Sequence, residues 1–391
     1  MARLSSPYAR DVITRADIEA AAGRLSGVIN HTPVERPQGI SRLAGRSLVF
    51  KNEHLQRTGS FKIRGAYNLI SQLDDGVDVV AASAGNHAQG VALAASLLGH
   101  KATIYMPAAA PLPKIEATRS YGAEIVAVSA TVDDCIAAAK AHAKGAVSVF
   151  VPPFDDERII AGQGTVGLEL AAQAPELDAV VVPIGGGGLI SGIATAFAHS
   201  RRGVRVIGVE AADRTNTMAD GIRVKGTSEL TQAHIGAYVD EVVTVDEEAI
   251  SQALVLLLER TKQLVEPAGA VALAAVLSGL VAGDGPVGVV VSGGNIDPML
   301  LVRVVDHGLS AAGRYLVLRV VVRDAPGELA RLLDVVAKEG LNVLSVDHQR
   351  AGSRVGINNT EVRLTLETRD PSHRGEVVEI IKAAGFDASE A

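Results

Sequence analysis

The chain has 391 residues, 48% of them hydrophobic and 21% charged, and a formal net charge of -7 with both signs interspersed. That length points to two or three domains, and the charge balance, with no basic cluster interleaved with aromatics, excludes a nucleic-acid or anionic-membrane surface. No apolar run spans a bilayer, the opening Met1-Ala2-Arg3-Leu4-Ser5-Ser6 lacks a secretory apolar stretch, and Cys135 is the only cysteine, so internal disulfides are excluded and a reducing cytoplasm is the expected compartment.

In chain order, the first helix signal is Thr14 with Asp17 three residues on, the pattern of a capping box. Gly59-Ser60-Phe61-Lys62-Ile63-Arg64-Gly65-Ala66 then places Lys62 in a small, largely apolar turn at a strand-to-helix junction. An ammonium there is poorly solvated, which favours the neutral amine that can form a Schiff base with an aldehyde. Taken alone, such a lysine is more often a structural ion-pair partner.

From about residue 77 to 293, short Val/Ile-rich runs alternate with Ala/Leu-rich segments of helical period. Strands are predicted at 77–83, 101–106, 124–129, 147–151, 179–184, 204–210, 241–245 and 287–292. Several are continuous apolar runs, as in strands covered on both faces, and the alternation predicts parallel sheets in an open α/β fold. Cys135 is expected on a helix that follows Thr131 and Val132. Pro152 and Pro153 break the pattern where the chain would cross between two lobes, and Asp246-Glu247-Glu248 puts acid in a first helical turn.

After Ser310-Ala311-Ala312-Gly313 the grammar changes to strand 315–322, helix 326–339, strand 342–349, strand 361–366 and helix 375–384. This β-α-β-β-α order, with little length after Phe386 for a last strand, predicts a small α+β sandwich of the ferredoxin type.

Three more motifs carry chemistry. Ser83-Ala84-Gly85-Asn86-His87-Ala88-Gln89-Gly90 leaves a strand and enters a helix, where donors suit a carboxylate. Asn86 is also able to bond a ring hydroxyl, and His87, taken by itself, reads more readily as a cap than as a ligand contact. Pro183-Ile184-Gly185-Gly186-Gly187-Gly188-Leu189 leaves main-chain N–H groups bare at a helix start. It is either a tight turn or a phosphate cradle; the spacing is not G-x-G-x-x-G and no Lys-Ser/Thr pair closes it, so a monophosphate fits better than a dinucleotide. Ser292-Gly293-Gly294-Asn295 ends the last apolar strand, where Ser292 either serves a plain turn or pairs with a pyridine nitrogen without forcing its protonation.

In this order the motifs resemble those of the tryptophan-synthase-β-like, fold type II, pyridoxal phosphate enzymes, and among them the threonine dehydratases, from about Ile13 to His307. The tail, with Arg323-Asp324-Ala325-Pro326-Gly327-Glu328-Leu329 and Gly340-Leu341-Asn342-Val343, resembles an ACT domain, a module that binds amino-acid effectors. The resemblance implies a two-lobed, open parallel-sheet catalytic domain at 1–308 with its smaller lobe at about 51–153, a linker at 309–314 and a regulatory ACT domain at 315–391. It implies that Lys62 holds pyridoxal 5'-phosphate covalently, Phe61 packs near the ring, Asn86 bonds the ring hydroxyl and Ser292 faces the ring nitrogen. Gly185, Gly186, Gly187 and Gly188, with Leu189, would cradle the phosphate, and Ser83, Asn86 and His87 would receive the substrate carboxylate.

The implied reaction is deamination of L-threonine to 2-oxobutanoate and ammonia, with L-serine to pyruvate as a second activity. A neutral pyridine opposite Ser292 discourages a long-lived carbanion and so disfavours transamination. Serine racemases of the family carry a serine where this chain has Ala84, which cannot return a proton. The effector would be a branched-chain amino acid, isoleucine or valine, held by Asp324 and Gly327 against Asn342 of a neighbouring subunit in a homodimer or homotetramer. In metal-containing relatives a cation sits near the position of Glu210, with a second acid six residues on; here that residue is Asn216, so a metal stays open. Three other readings remain: a β-replacement enzyme of the cysteine-synthase type, an effector-binding protein with an inert catalytic lobe, and an ACT domain that serves assembly alone.

Overall fold

The computed structural model describes residues 12–128, 131–145, 147–198, 203–311, 313–349 and 356–391. They fall into two compact units, 1–300 and 301–391. In the first unit the strands are β1 (Val34–Glu35), β2 (Leu48–Asn52), β3 (Asp78–Ala82), β4 (Ala102–Pro107) and β5 (Glu124–Val128). They continue with β6 (Ser148–Phe150), β7 (Ala179–Pro183), β8 (Arg205–Ala211), β9 (Glu241–Val245) and β10 (Val287–Val291). The larger sheet has the order β1-β2-β10-β7-β8-β9 and the smaller the order β5-β4-β3-β6. All pairings are parallel except β1 with β2.

Every residue of β2, β7 and β10 is buried, as parallel strands sandwiched between helices require. The runs read as strands between 77 and 292 match β3 to β10 within a residue or two at each end. The sequence reading passes over β2, because Lys51 and Asn52 interrupt its apolar pattern. The strand nevertheless pairs along its full length with β10. Lys51 is tolerated there because its Nζ donates to Thr32 O at 2.8 Å, Gln173 Oε1 at 2.9 Å and Glu169 Oε2 at 2.6 Å. Residues 51 and 52, expected at the edge of the smaller lobe, thus lie in the larger sheet. Thr14 and Asp17 form the expected capping box at helix Arg15–Leu25, Asp246 caps helix Glu247–Leu256, and Cys135 is buried on helix Val132–Gly145.

Helix Glu157–Gln173 ties the two lobes together through glycine. A Cβ on its Gly162 would lie 2.6 Å from Gly65 Cα of helix Lys62–Ile70, and one on Gly192 of helix Gly188–Ala198 would lie 2.4 Å from Gly164 N. Backbones meet at both crossings, so the helix that carries Lys62 and the helix after the glycine loop share one support.

Beneath this support lies a charge-balanced network. Arg64 donates twice to Glu53, at 2.8 Å each, and to Glu169 Oε1 at 2.6 Å, while Glu169 also holds Lys51. Burial alone would raise the Glu169 carboxyl, but the Arg64 and Lys51 contacts hold it below the usual range.

The second unit contains β11 (Tyr315–Arg323), β12 (Val343–Gln349), β13 (Asn359–Glu367) and β14 (Asp387–Glu390) in one antiparallel sheet of order β12-β13-β11-β14. Leu316, Leu318, Val320 and Val322 alternate inward and pack on Leu332 and Val336 of helix Glu328–Lys338 and on Val377 and Ile381 of helix Pro371–Ala383. The last strand, for which the sequence leaves little room, is present as β14 at the sheet edge. Four residues suffice there, and of them only Ala388 is buried, so no apolar pattern announces it. The segment expected as a linker begins inside helix Pro298–Ala311.

Arg64→Met would leave Glu53 and Glu169 buried without their main counter-charge. Folding free energy is expected to fall by about 3–5 kcal/mol, seen as an earlier midpoint in urea denaturation; an unchanged midpoint would mean the carboxylates find other partners.

Candidate active site

Two motifs are stapled by main-chain bonds. Ser60 bridges Gly293, Phe61 N donates to Ser292 O at 3.3 Å, and Gly294 N donates to Gly59 O at 2.9 Å. Gly59 has φ +70° and a Cβ there would lie 2.4 Å from Asn295 Oδ1, so only glycine fits the turn. A third motif joins through Asn86, whose Oδ1 accepts from Asn295 Nδ2 at 2.8 Å. The fourth is reached from Lys62: its Nζ donates to Pro153 O at 3.0 Å, and the next residue, Phe154, lies under the glycine loop. Phe61, Lys62, residues 83–86 and Gly185–Gly186 keep partial exposure beside buried neighbours, so these motifs line one crevice.

Lys62 opens helix Lys62–Ile70, with Nζ 5.1 Å from the centre of the Phe61 ring. The residue is half-buried, but the protein packed around its Nζ desolvates the ammonium and draws its pKa down to about 8, against the opposing charge of Glu266. His87 is buried at the start of helix Asn86–Leu98. Its Nε2 donates to Val151 O at 2.9 Å, which fixes that nitrogen as the protonated one, and burial followed by the charge of Lys62 pushes its pKa down to about 3. The ring is a neutral anchor, so what His87 offers a carboxylate is its main-chain N–H. The N–H groups of residues 86–88 have no partner among the described residues, as expected for a first helical turn. Ser83 Oγ accepts from Gly85 N at 3.1 Å and shapes that turn.

The glycine loop meets helix Gly188–Ala198, and the N–H groups of Gly185 to Leu189 likewise have no partner among the described residues. Side chains are excluded from it: a Cβ on Gly186 would lie 2.1 Å from the Phe154 ring, and Gly187 has φ +91°. Arg214 Nη2 donates to Gly185 O at 2.8 Å while Nη1 meets Glu210 Oε1 at 2.9 Å, which puts a guanidinium behind the loop. Ser292 Oγ makes only a long contact, 3.3 Å, to Ala268 O, so its hydrogen is available to another acceptor. Among the described residues no three of His, Cys, Asp and Glu cluster as metal ligands.

Glu266 and the role of Asn295 escape the sequence reading. Glu266 precedes Pro267 at the start of helix Pro267–Leu277 and reads from sequence as an ordinary acid at a helix start. In the fold it is buried, and its Oε1 accepts from Asn86 Nδ2 at 2.7 Å. Burial, then the charge of Asp220, raises its carboxyl to about 7.

A desolvated amine, a cradle of bare N–H groups too tight for any Cβ, and a hydroxyl at a strand end together fit an aldehyde that carries a phosphate and a ring nitrogen. Family comparison agrees. The chain belongs to the pyridoxal-phosphate dependent enzymes, whose family model matches residues 25–293, and an ACT domain matches residues 316–386. It is 43% identical over 396 residues to L-threonine ammonia-lyase of Thermotoga maritima, covering 96% of this chain and 99% of that protein. Among solved structures, maize serine racemase matches with TM-score 0.72 and 36% identity over 77% of this chain and 99% of that one. The processed form of threonine deaminase isoform 2 from Solanum lycopersicum matches with TM-score 0.69 and 35% identity over 75% of this chain and 86% of that one. No helix among the described residues is long and apolar enough to cross a membrane.

Below about 8 the Lys62 amine is protonated and cannot add to an aldehyde. In cofactor-free protein, the rate at which pyridoxal phosphate condenses, followed by visible absorbance, is therefore expected to climb with pH and level off above about 8. A rate still climbing towards the ordinary lysine value of 10.5 would contradict the desolvation described here.

Proposed function

We propose that this chain deaminates L-threonine to 2-oxobutanoate and ammonia, with L-serine to pyruvate as a slower companion reaction. The observation that carries the reading is Lys62, an amine with its pKa drawn down to about 8 at the meeting point of four motifs. Bound pyridoxal phosphate supplies an electron-withdrawing ring that makes the substrate α-proton acidic. The chain supplies the rest. Main-chain N–H groups of Gly185 to Leu189 would hold the phosphate, with the Arg214 guanidinium behind them. Ser292 would offer its hydroxyl to the ring nitrogen, and Phe61 would pack beside the ring. Ser83 and the N–H groups at Asn86 and His87 orient the substrate carboxylate. Lys62, as the free amine, takes the α-proton, a role that suits a base with a pKa close to neutral pH. The β-hydroxyl departs as water, the proton that Lys62 took balancing the loss, and the amino-alkenoate left behind takes up water to give the keto acid and ammonia.

The likeness to maize serine racemase raises racemisation as a second reading. Ala84 disfavours it, because a methyl group on the opposite face cannot deliver a proton. Preference for threonine over serine rests on one methyl group and is expected to be modest, about 1–3 kcal/mol in transition-state binding.

The ACT domain provides amino-acid-responsive regulation, and isoleucine or valine is the effector that fits a threonine-consuming enzyme. Asp324 and Gly327 lie beyond the Arg323↔Asn359 end of the β11–β13 ladder, with Gly327, at φ +94°, opening helix Glu328–Lys338. Asn342 lies at the other end, where its carbonyl accepts from Glu367 N at 3.0 Å. One copy therefore cannot bring the three residues together, which supports a site shared by two copies of the chain in a homo-oligomer. A cavity of about 540 Å³ beside Asn342, lined by Arg314, Glu367, Arg369 and His373, offers both signs of charge to a zwitterion.

A keto-acid assay with threonine, serine and O-acetylserine tests the reaction. Threonine is expected to turn over fastest. Lys62→Ala is expected to lose activity by more than about a thousandfold, as removal of a catalytic base that is also a nucleophile does, together with the absorbance band that borohydride removes from wild type. A colourless wild-type protein, or turnover of O-acetylserine alone, would overturn the assignment. Calorimetry with isoleucine and valine is expected to give heat that Gly327→Val abolishes; no heat from either would leave the ACT domain an assembly module.

A further inference from the structure

An asparagine carboxamide has nearly the same shape either way round, but only one way round presents a donor to a ring oxygen. The structure fixes that choice for Asn86 through a chain of bonds anchored on the main chain. Asn295 Nδ2 donates to Thr58 O at 2.7 Å. A carbonyl oxygen only accepts, so the amino end of Asn295 must face it. The second hydrogen of the same nitrogen goes to Asn86 Oδ1 at 2.8 Å. With its oxygen engaged on that side, Asn86 turns its Nδ2 to Glu266 Oε1, at 2.7 Å. One N–H of Asn86 is then left over.

We infer that Asn295 and Glu266 are positioning residues that lock the Asn86 carboxamide so that its one spare N–H serves the oxygen of the cofactor's ring hydroxyl. The inference rests on the contact between Asn86 and the ring proposed above. Flipping Asn86 would set its amino group against the amino group of Asn295, losing that hydrogen bond in any state, and its oxygen against Glu266, losing a second when that carboxylate is ionised. Glu266 has little freedom to follow such a flip. It is 3% exposed, its N donates to Gly293 O at 3.1 Å, and a Cβ on Gly293 would lie 2.3 Å from its Oε1. The charged groups that act on it are Lys62 and the pair Lys114–Asp220, joined at 2.5 Å. Either protonation state of Glu266 leaves Oε1 an acceptor, since a neutral carboxyl can carry its hydrogen on Oε2. Glutamine should therefore replace it, and leucine should not.

The test is titration of cofactor-free protein with pyridoxal phosphate, reading the dissociation constant and the shape of the visible band, alongside the melting temperature of each cofactor-free form. Asn295→Ala and Glu266→Leu are expected to weaken binding about tenfold, the worth of one lost hydrogen bond, and to shift the band. Asn295→Asp, which when ionised cannot donate to Thr58 O, should weaken it at least as much. Glu266→Gln should stay within about twofold of wild type, matching the retained acceptor. Weakening by Asn86→Ala but not by Asn295→Ala or Glu266→Leu would overturn the inference and leave the ring contact standing. No effect of Asn86→Ala would instead remove the ring contact itself. Losses that merely follow a lowered melting temperature would also overturn the positioning role. If Glu266→Leu does not fold, the Asn295 variants decide, because that side chain is only partly buried.

Discussion

The short main-chain ladder between Gly59–Phe61 and Ser292–Gly294 is the contact on which the site depends. It joins the turn that presents Lys62 to the end of β10, and through Asn295 it also reaches Asn86 on a third segment. Main-chain bonds of this kind resist change in side-chain chemistry but tolerate little change in backbone position. That is why Gly59 and the glycines after Ser292 are confined to places where a Cβ would strike a neighbour. Helix Glu157–Gln173 extends the same logic outward, since its two backbone-to-backbone crossings leave the lysine and the glycine loop little room to drift apart.

Charge is sorted with equal care. The Arg64 network pairs two basic with two acidic side chains away from the crevice. Nearer the crevice the balance is looser: Lys62 is drawn down to about 8 and Glu266 is raised to about 7. Groups that can give up or accept a proton near neutrality are thus gathered at the crevice, while the paired charges lie away from it.

Much of this was legible from sequence because parallel strands covered on both faces leave unbroken apolar runs, and glycine-rich turns leave fixed spacings. The runs that became β7 and β10 are of that kind. What stayed hidden depended on partners far along the chain. β2 looks too polar to be buried until Glu169 and Gln173, more than a hundred residues on, are seen to receive Lys51. β14 has a single buried side chain. Asn295 was visible in its motif, but its task is set by Asn86, 209 residues away, and Glu266 acquires its raised carboxyl only when the fold buries it beside Asp220. The Asp324 and Asn342 ends of the ACT sheet were read as meeting across two subunits, and within one chain they lie apart because β11 runs the full length between them.

The guanidinium of Arg214, held between Glu210 and the carbonyl of Gly185, places behind the glycine loop a paired charge that is covalently part of the chain. Its occupancy cannot vary with the supply of dissolved ions, and a chelator has no hold on it. The charge that backs this loop is accordingly set when the protein is made, and only protein chemistry can adjust it afterwards.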